Sequence, residues 1–385
     1  MKRILWVFLL ILAIAIGLFY AFGPRAEAEE ISAQVLATPA PPSLGFERVV
    51  SSLSLSFPAD FGPHLTYQTE WWYYTGNLET ADGRHFGYQF TIFRRALIPV
   101  DQSFERSSHW AADQIYMGHL ALSDVEGDQF HAFERFARGA AGLAGAESSP
   151  YHVWLEDWSI TQSDENMYAL IAEHEGIRLE LQFTDEKGPV LQGDQGFSQK
   201  GPEPGNASFY YSQTRLQTEG EIRIGDESFQ VSGLSWKDHE YSTSALAPDQ
   251  VGWDWFSIQL DDGYELMLYQ IRRADGSVDP FSSGALIAPD GSPTQLSRED
   301  FVIESQDSWH SPHSGADYPM GWAISIPAVE LEINLDPYLV DQELNLSFIY
   351  WEGAVQVSGQ NNGEAVCGVG YVEMTGYSQP FDGDF

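Results

Sequence analysis

Acid–base chemistry in this sequence could come from two short aromatic segments, the first of which contains Glu70. In an extended strand Glu70, Trp72 and Tyr74 share one face. Trp71 and Tyr73 share the opposite face. Burial beside the large rings would raise the pKa of the Glu70 carboxyl toward that of a general acid. The alternative interpretation is an exposed carboxylate at the edge of an aromatic core.

Two histidines extend this first candidate site. His64 opens the same segment, and we expect it to contribute to ligand binding. His119 lies among small and apolar residues between Tyr116 and Leu122, and it could face the same cavity as Glu70. The alternative for His119 is a hydrogen-bonded histidine of the protein core.

The second segment runs from Gly233 to Tyr241 and contains consecutive aspartate, histidine and glutamate residues. Extended geometry places Asp238 and Glu240 on one face. His239 and Tyr241 lie on the other face. Because three neighbouring metal ligands would then point to opposite sides of the strand, we predict neither a metal ion nor another cofactor.

Aromatic residues near this second segment could support acid catalysis. His239 and Tyr241 share a face and could supply an acid and a hydrogen bond. Rings that could stabilise a cationic intermediate come from Trp253, Trp255 and Tyr269. A purely structural role for the whole set is the alternative.

Several common catalytic motifs are absent from the sequence. It contains no Gly-x-Ser-x-Gly elbow, no His-Glu-x-x-His, no phosphate-cradling glycine loop and no dinucleotide fingerprint. Serine-hydrolase chemistry therefore has little support.

The charge balance limits the partners of the protein. The 385 residues include 56 acidic and 19 basic side chains, for a formal net charge of -37. Such a surface repels polyanions, so we predict no nucleic-acid partner and no membrane contact beyond the N-terminal segment. The single cysteine, Cys367, excludes an intramolecular disulfide and a multi-cysteine zinc site.

The N-terminal segment has the pattern of an export signal. Lys2 and Arg3 precede an uncharged run from Ile4 to Pro24, which approaches the length that spans a bilayer. Cleavage of a signal peptide therefore competes with retention as an inner-membrane anchor. We predict a signal peptide or anchor over residues 1–28, an Ala/Pro-rich linker over 29–44, and a periplasmic or secreted location for the rest.

Beyond residue 45 the sequence shows the alternation that is typical of β-strands. The segment from Trp72 to Ala96 combines aromatic residues, an Asp-Gly turn and an Arg-Arg-Ala triplet. An echo of this pattern occurs about 180 residues later, from Trp253 to Ala274. The echo indicates two similar domains, unless two β-hairpins resemble each other by chance. We predict an all-β fold with domains 45–215 and 216–385, each an antiparallel β-barrel that could hold a small ligand.

Five aromatic motifs, in order, resemble those of the AttH-like family of exported bacterial proteins, often labelled predicted secreted hydrolases. That family is similar to the carotenoid 1,2-hydratases. The motifs are Gln68 to Tyr74, Trp236 to Tyr241, Trp253 to Phe256, Tyr350 to Gly353 and Gly370 to Tyr377. The resemblance runs from about Leu55 to Tyr377, nearly all of the expected folded part.

The resemblance implies two tandem lipocalin-like barrels and, for some members, an accessory role beside an ABC-type exporter. In the hydratase branch an aspartate protonates a terminal double bond of the substrate, and Asp238 with His239 and Tyr241 matches that pattern. Tyr269 matches a later tyrosine of the branch. The residues after it are Gln270 and an isoleucine, where the hydratases lead us to expect a carboxylate, so the sequence departs from their pattern there.

Two main functional hypotheses follow, with a structural or interaction role as a third. The protein either binds a lipid-like or isoprenoid-like ligand outside the cytoplasm, or it is a cofactor-independent hydratase or hydrolase. In the second case His239 would act with Asp238 or Glu70 as proton carriers. An acid and His239 converging on one cavity would favour catalysis, whereas a purely apolar lining would favour binding. The catalytic candidates are His239, Asp238, Tyr241, Tyr269 and Glu70. The ligand-binding candidates are His64, Trp71, Trp72, Tyr73, His119, Trp236, Trp253 and Trp255.

Overall fold

The computed structural model describes residues 45–103, 108–244 and 246–380. The predicted export segment (1–28) and linker (29–44) lie outside these residues. The described residues form two antiparallel β-sheets joined by short loops, so the prediction of an all-β fold is confirmed. Four short 3-10 helices cover Ala59–Phe61, Val100–Gln102, Arg298–Asp300 and Pro327–Val329. Among the described residues no helix is long and apolar enough to cross a membrane.

The first sheet contains 13 strands and curls around its own core. Its strands are β1 Thr69–Glu79, β2 His85–Ala96, β3 Gln114–Asp124, β4 Gln129–Arg138, β5 Ala144–Ser148, β6 Tyr151–Leu155, β7 Trp158–Asp164, β8 Met167–His174, β9 Ile177–Asp185, β10 Val190–Leu191, β11 Phe197–Gln199, β12 Ala207–Ile224 and β13 Glu227–Ser242. Their order is β4-β3-β2-β1-β13-β12-β9-β8-β7-β6-β5, with β10 and β11 paired to β12. The sheet curls far enough for β4 to contact β6 across the core.

The second sheet contains 10 strands and encloses a separate core. Its strands are β14 Gln250–Leu260, β15 Glu265–Arg273, β16 Ser283–Ile287, β17 Pro293–Ser297, β18 Val302–His310, β19 Asp317–Ile326, β20 Leu331–Pro337, β21 Glu343–Asn345, β22 Ile349–Asn361 and β23 Glu364–Met374. Their order is β17-β16-β15-β14-β23-β22-β20-β19-β18, with β21 paired to β22. The two curled sheets are the predicted tandem lipocalin-like barrels.

Equivalent hairpins open the two sheets, as the sequence echo indicated. β1 and β2 pair around the turn at Gly83, and β14 and β15 pair around the turn at Gly263. Both glycines have a positive φ, +89° and +88°, which a residue with a Cβ adopts only at a cost. The two Asp-Gly turns therefore have the same backbone geometry.

The change from one sheet to the other lies later in the chain than the predicted domain boundary at 215/216. β12 spans that boundary, and residues 232–242 of β13 pair with the whole of β1, so both strands belong to the first sheet. The change falls between Ser242 and Gln250. The predicted boundary rested on a Gly/Pro/Gln/Ser-rich region near 195 to 225, but that region contains β11, β12 and the loops around them, inside the first sheet.

The two sheets pack against each other through the strands that open and close them. β1 contacts β23, β2 contacts β22, and β12 contacts β14. β1, β2 and the second half of β13, from Ser235 onward, are therefore buried on both faces, with one face on the first core and the other on the second sheet. By contrast, the outer strand β9 alternates between buried and exposed residues. All described residues fall in one compact unit.

A candidate active site between the two sheets

A cavity of about 110 Å³ lies where the two sheets meet, and we call it the inter-sheet cavity. Aromatic rings and acidic side chains dominate its lining. The aromatic members are Trp71, Tyr73, Phe93, Tyr210, Trp253, Trp255, Tyr269, Phe348 and Tyr350, and the acidic members are Asp238, Glu240, Glu352 and Glu373. The volume suits a small molecule or one end of a longer one, since a 150 Å³ apolar cavity binds benzene.

Strand alternation explains why these residues reach the cavity. On β1, Trp71 and Tyr73 face the cavity, whereas Trp72 and Tyr74 belong to the core of the first barrel. On β22, Glu352 faces the cavity and Trp351 belongs to the core of the second barrel. Each strand at this interface thus supplies one face to a barrel core and the other to the cavity.

Two of the acidic residues, Glu352 and Glu373, are direct cross-strand partners on β22 and β23. Glu352 has no exposed surface, and it accepts a hydrogen bond from the Tyr73 hydroxyl. Glu373 is partly exposed and accepts a hydrogen bond of 2.7 Å from Trp253 Nε1. The arrangement places two carboxyl groups side by side in an aromatic environment.

Burial perturbs the two carboxyls to different degrees. Burial, followed by repulsion from Glu373, raises the pKa of Glu352 well above its usual range. Burial raises the pKa of Glu373 to about 7, while the hydrogen bond from Trp253 opposes that rise. The environment of Glu352 thus favours the protonated form more strongly than that of Glu373, so Glu352 suits the role of the acid and Glu373 that of the base.

A third carboxyl, Asp238, lines the same cavity from β13. Burial raises its pKa to about 7, against the effect of hydrogen bonds from Ser212, Tyr210 and Trp236. The three donors all point to the carboxylate oxygens, and Trp236 Nε1 lies 2.7 Å from Oδ1. Asp238 therefore has less freedom to deliver a proton than Glu352 has.

One cation lies against this acidic lining. Lys200 Nζ is 3.3 Å from Glu240 Oε1 and 4.1 Å from the centre of the Tyr269 ring. The ammonium group thus offsets one of the negative charges and packs on an aromatic face at the same time.

The raised pKa of Asp238 makes stability depend on pH. Between its ordinary value of 3.8 and about 7, the folded state holds a proton that the unfolded state has lost, so the free energy of unfolding falls as pH rises. Asp238→Asn cannot ionise. We expect the wild type to lose roughly 2 to 4 kcal/mol more than this variant between about pH 4 and about pH 7. Urea unfolding at several pH values measures both slopes, and equal slopes would contradict the prediction.

A different polar network fills the interior of the first barrel, centred on Glu70. Glu70 Oε2 accepts a hydrogen bond of 2.9 Å from Arg94 Nε, and both groups are fully buried. Glu70 Oε1 lies 2.8 Å from His64 Nδ1 and 2.8 Å from His239 Nε2. The remaining nitrogens are also partnered, His64 Nε2 by Asp60 and His239 Nδ1 by the Tyr211 hydroxyl.

The charges in this network are complementary. Although burial alone would raise it, the charge of Arg94 and the hydrogen bonds from His239 and His64 hold the pKa of Glu70 well below its usual range. Burial lowers the pKa of His239 to about 4, against the effect of Glu70. The pKa of His64 is raised, because hydrogen bonds to Asp60 and Glu70 overcome the effect of burial. Glu70 is thus a fully ionised, fully bonded carboxylate.

His64, Glu70 and His239 form the one grouping of histidine and carboxylate ligand atoms in the described residues that could hold a metal ion. The donors present do not favour one. Arg94 already neutralises Glu70, and the two histidines use both ring nitrogens in hydrogen bonds. Hydrogen bonds therefore explain the short distances between these three side chains.

The structure divides the predicted site residues between these two places. Trp71, Tyr73, Asp238, Trp253, Trp255 and Tyr269 line the inter-sheet cavity, and Trp236 packs behind it against Trp255. Glu70, His64, Trp72, His239 and Tyr241 lie in the first barrel, where His64 stacks on Tyr241 with ring centres 3.6 Å apart.

Alternation along β13 points His239 and Asp238 into separate compartments, so the structure does not bring this predicted pair together. It does bring His239 to the other predicted proton carrier, since His239 Nε2 lies 2.8 Å from Glu70 Oε1. For Glu70 the sequence predicted a pKa raised by burial, but Arg94, His239 and His64 together outweigh burial and lower that pKa. His119 does not line the cavity. It lies behind the lining, with Nδ1 2.7 Å from the Tyr350 hydroxyl.

Glu352 and Glu373 were not identified as site residues from the sequence. Each lies within one of the five aromatic motifs, and each alternates with core residues of its strand, Trp351 and Val372. The sequence signal that could have identified them is a carboxylate within a mainly apolar stretch of strand. Whether such a carboxylate is buried depends on the first sheet covering the second.

The fold and the cavity between its sheets define a two-barrel, lipocalin-like protein with a pocket lined by aromatic rings and carboxyl groups. The AttH-like family model matches residues 48–377, and the chain belongs to the AttH-like family. Family membership confirms the resemblance that the aromatic motifs indicated.

Solved structures share this architecture. A crystal structure of an AttH-like protein from Nitrosomonas europaea is 36% identical, with a TM-score of 0.76, and the match covers 86% of this chain and all of that one. Kievitone hydratase from Nectria haematococca gives a TM-score of 0.66 at 15% identity, over 87% of this chain and 98% of that one. CghA gives 0.50 at 12% identity, over 82% and 90%. The last two show the fold alone. No curated protein matches the chain.

Proposed function

We propose that the protein is a hydratase-type enzyme that binds an apolar, unsaturated small molecule in the inter-sheet cavity. The observation that carries this proposal is the cross-strand pair of carboxyls, the buried Glu352 and the partly exposed Glu373, inside an aromatic lining. Their unequal environments separate an acid from a base, which is the usual arrangement for acid–base catalysis. Kievitone hydratase, by its name a hydratase, shares the fold, which supports the reaction class.

The proposed reaction is the addition of water to a carbon–carbon double bond. The neutral Glu352 carboxyl gives its proton to one carbon, and the π electrons of the double bond form the new C–H bond. The other carbon becomes a cation. A water oxygen attacks that cation, and its excess proton passes to Glu373. The product is an alcohol, and the two carboxyls have exchanged protonation states.

The aromatic lining suits the cationic intermediate. Tyr73 and Trp255 lie with their rings at 83° to each other and their centres 5.1 Å apart, so faces and edges both reach the cavity. The negative π-face of such rings attracts a cation at short range. The same rings lower the local polarity, which strengthens the electrostatic interactions of the two carboxyls with the reacting groups.

Carriage of a lipophilic ligand is the second candidate function, because the same aromatic lining could hold a molecule without reacting. In that case the acidic pair would fix its orientation. Two further expectations belong to this proposal. One is export, which the N-terminal sequence pattern indicates, and the other is association with an ABC-type transporter, which the resemblance implies. Both candidate functions require an apolar ligand in the inter-sheet cavity.

The test is a screen of terminal alkenes of isoprenoid and aryl type in water labelled with heavy oxygen. Incorporation of one labelled hydroxyl into a product, detected by mass spectrometry, supports the hydratase proposal. Tight retention of the unreacted molecule by the wild type supports carriage instead. If no alkene binds or reacts, both candidate functions are overturned.

Binding itself should depend on Trp255. Trp255→Ala removes a large ring from the lining, and we expect an apolar fluorescent probe such as N-phenylnaphthylamine to bind about tenfold more weakly or worse. Trp154 is a matched control, since it is a partly exposed tryptophan on β6, outside the cavity lining. Fluorescence titration of both alanine variants measures the difference. Equal affinities would place the binding site elsewhere.

A further inference from the structure

A line of polar side chains leads away from Glu352 toward the surface. Tyr350 lies two positions before Glu352 on β22, so both side chains face the inter-sheet cavity, and Glu352 Oε2 has no hydrogen-bond partner of its own. The Tyr350 hydroxyl is also 2.7 Å from Nδ1 of His119, which belongs to β3 of the first sheet. On the far side of the ring, His119 Nε2 is 3.1 Å from Glu134 Oε1 on β4. The line thus crosses from one sheet to the other.

Solvent reaches this line at one end. Glu352 and His119 have no exposed surface, and Tyr350 is 3% exposed. The side chain of Glu134 is 15% exposed, and it accepts a further hydrogen bond from the Ser347 hydroxyl. The rings of Phe93 and Phe348 pack against His119 at centre distances of 5.5 Å and 5.1 Å and keep water from its flanks.

The proposed reaction would benefit from such a route. After one turnover Glu352 has lost a proton and Glu373 has gained one. Glu373 is partly exposed and can release its proton to water, but Glu352 has no exposed surface. A path through the protein would let Glu352 recover a proton while an apolar molecule still fills the cavity.

We propose that Tyr350, His119 and Glu134 form a proton relay that returns a proton from solvent to Glu352. The relay rests on the proposed function, and its members are positioning residues that act through Glu352. A proton enters at Glu134 and passes to His119 Nε2, and His119 releases the proton on Nδ1 to the Tyr350 oxygen. Tyr350 then gives its own hydroxyl proton to the Glu352 carboxylate. One proton enters, one is delivered, and each relay residue ends with as many protons as it began with. His119 ends with its proton on Nε2 in place of Nδ1, and a return to the Nδ1 tautomer completes the cycle.

Nδ1 and Nε2 of an imidazole make it suited to this task, because the ring can accept a proton at one nitrogen and release another from the second. A merely structural His119 would tie the two sheets together without passing protons. The two roles differ in how fast the Glu352 carboxyl exchanges its proton with solvent.

The experiment measures that exchange by infrared spectroscopy on the full chain, without any substrate. At about pH 8, Asp238 and Glu373, with pKa values of about 7, are mainly ionised, so the C=O band of a protonated carboxyl reports Glu352. Loss of the band in Glu352→Gln assigns it. After transfer into heavy water, the shift of the band follows the exchange.

We expect His119→Phe and Tyr350→Phe to slow the exchange by about tenfold or more, because exchange must then wait for local opening of the sheets. Tyr73→Phe is the matched control. It removes the hydroxyl that donates to Glu352, but Tyr73 has no bond in the relay, so its exchange should match the wild type. Exchange at the wild-type rate in His119→Phe would overturn the relay.

Chemical rescue separates proton transfer from packing. In His119→Ala, added imidazole should restore fast exchange, whereas pyrrole, which has the same ring shape but no nitrogen acceptor, should not. Equal rescue by both rings would assign His119 a packing role and overturn the relay. Because no substrate is involved, slow exchange in the variants can hold even if no hydration is found. If no band depends on Glu352, its role as an acid and the relay both fail.

Discussion

Replacing Glu352 with glutamine is expected to lower kcat/KM for hydration by about 10² to 10⁴. The amide has nearly the same shape as the carboxyl and still accepts the hydrogen bond from Tyr73, but it has no acidic proton to give. Binding of the alkene should change little, because the aromatic lining is intact. Steady-state rates on an alkene identified by oxygen labelling, together with probe titration, separate the two quantities.

Glu373→Gln is the informative companion variant. In the wild type, activity should rise with pH through about 7, because Glu373 must lose its proton before it can accept one from water. Activity should fall again at higher pH, because Glu352, with its raised pKa, must keep its proton. The rising limb should disappear in Glu373→Gln. Full activity of Glu352→Gln at any pH would rule out the proposed acid and leave ligand carriage as the better proposal.

Replacing Arg94 with methionine is expected to lower the free energy of unfolding by about 3 to 5 kcal/mol. The change leaves Glu70 fully buried without its cation, and it also removes hydrogen bonds of 3.0 Å from Arg94 Nη2 to the carbonyl oxygens of His64 and Tyr67. Urea unfolding followed by tryptophan fluorescence gives the midpoint and slope. The inter-sheet cavity lies outside this network, so probe binding should survive in the folded protein.

Two further variants test whether the lost ion pair is the cause. Adding Glu70→Gln to Arg94→Met removes the uncompensated charge, so the double variant should be more stable than the single one. Arg178→Met is a matched control on the surface, where Arg178 pairs with the exposed Glu173 and Glu180. Its effect should stay within about 1 kcal/mol. If Arg94→Met also lowered the free energy of unfolding by no more than about 1 kcal/mol, Glu70 would have to become protonated or hydrated when Arg94 is removed.

Much of the local structure could be predicted from the sequence. Period-two alternation is a property of the extended backbone, so the assignment of Trp71 and Tyr73 to one face and Glu70 and Trp72 to the other held in the structure. The separation of Asp238 from His239 follows from the same rule. The turn residues likewise predicted the two equivalent hairpins, because the glycine of an Asp-Gly pair readily adopts the positive φ that such turns need.

The placement of the sheet boundary shows where local signals stopped being sufficient. A Gly/Pro-rich region near residue 200 resembles a linker, but here it forms the loops around the short strand β11. β13 belongs to the first sheet because it pairs with β1, far away along the chain. Pairing between distant strands is chosen by burial over the whole sheet, which no short window of sequence contains.

Lys237 and Glu352 show the same limit for single side chains. Lys237 points into the first barrel among aromatic rings, where burial lowers its pKa to about 7, although its neighbour Asp238 faces the cavity. The pKa of Glu352 is raised because the first sheet covers this residue and because Glu373 lies opposite. The sequence by itself determined the β class, the faces of each strand and the family. Only the tertiary structure decided which faces meet and which charges are buried, because desolvation depends on groups that come together from distant parts of the chain.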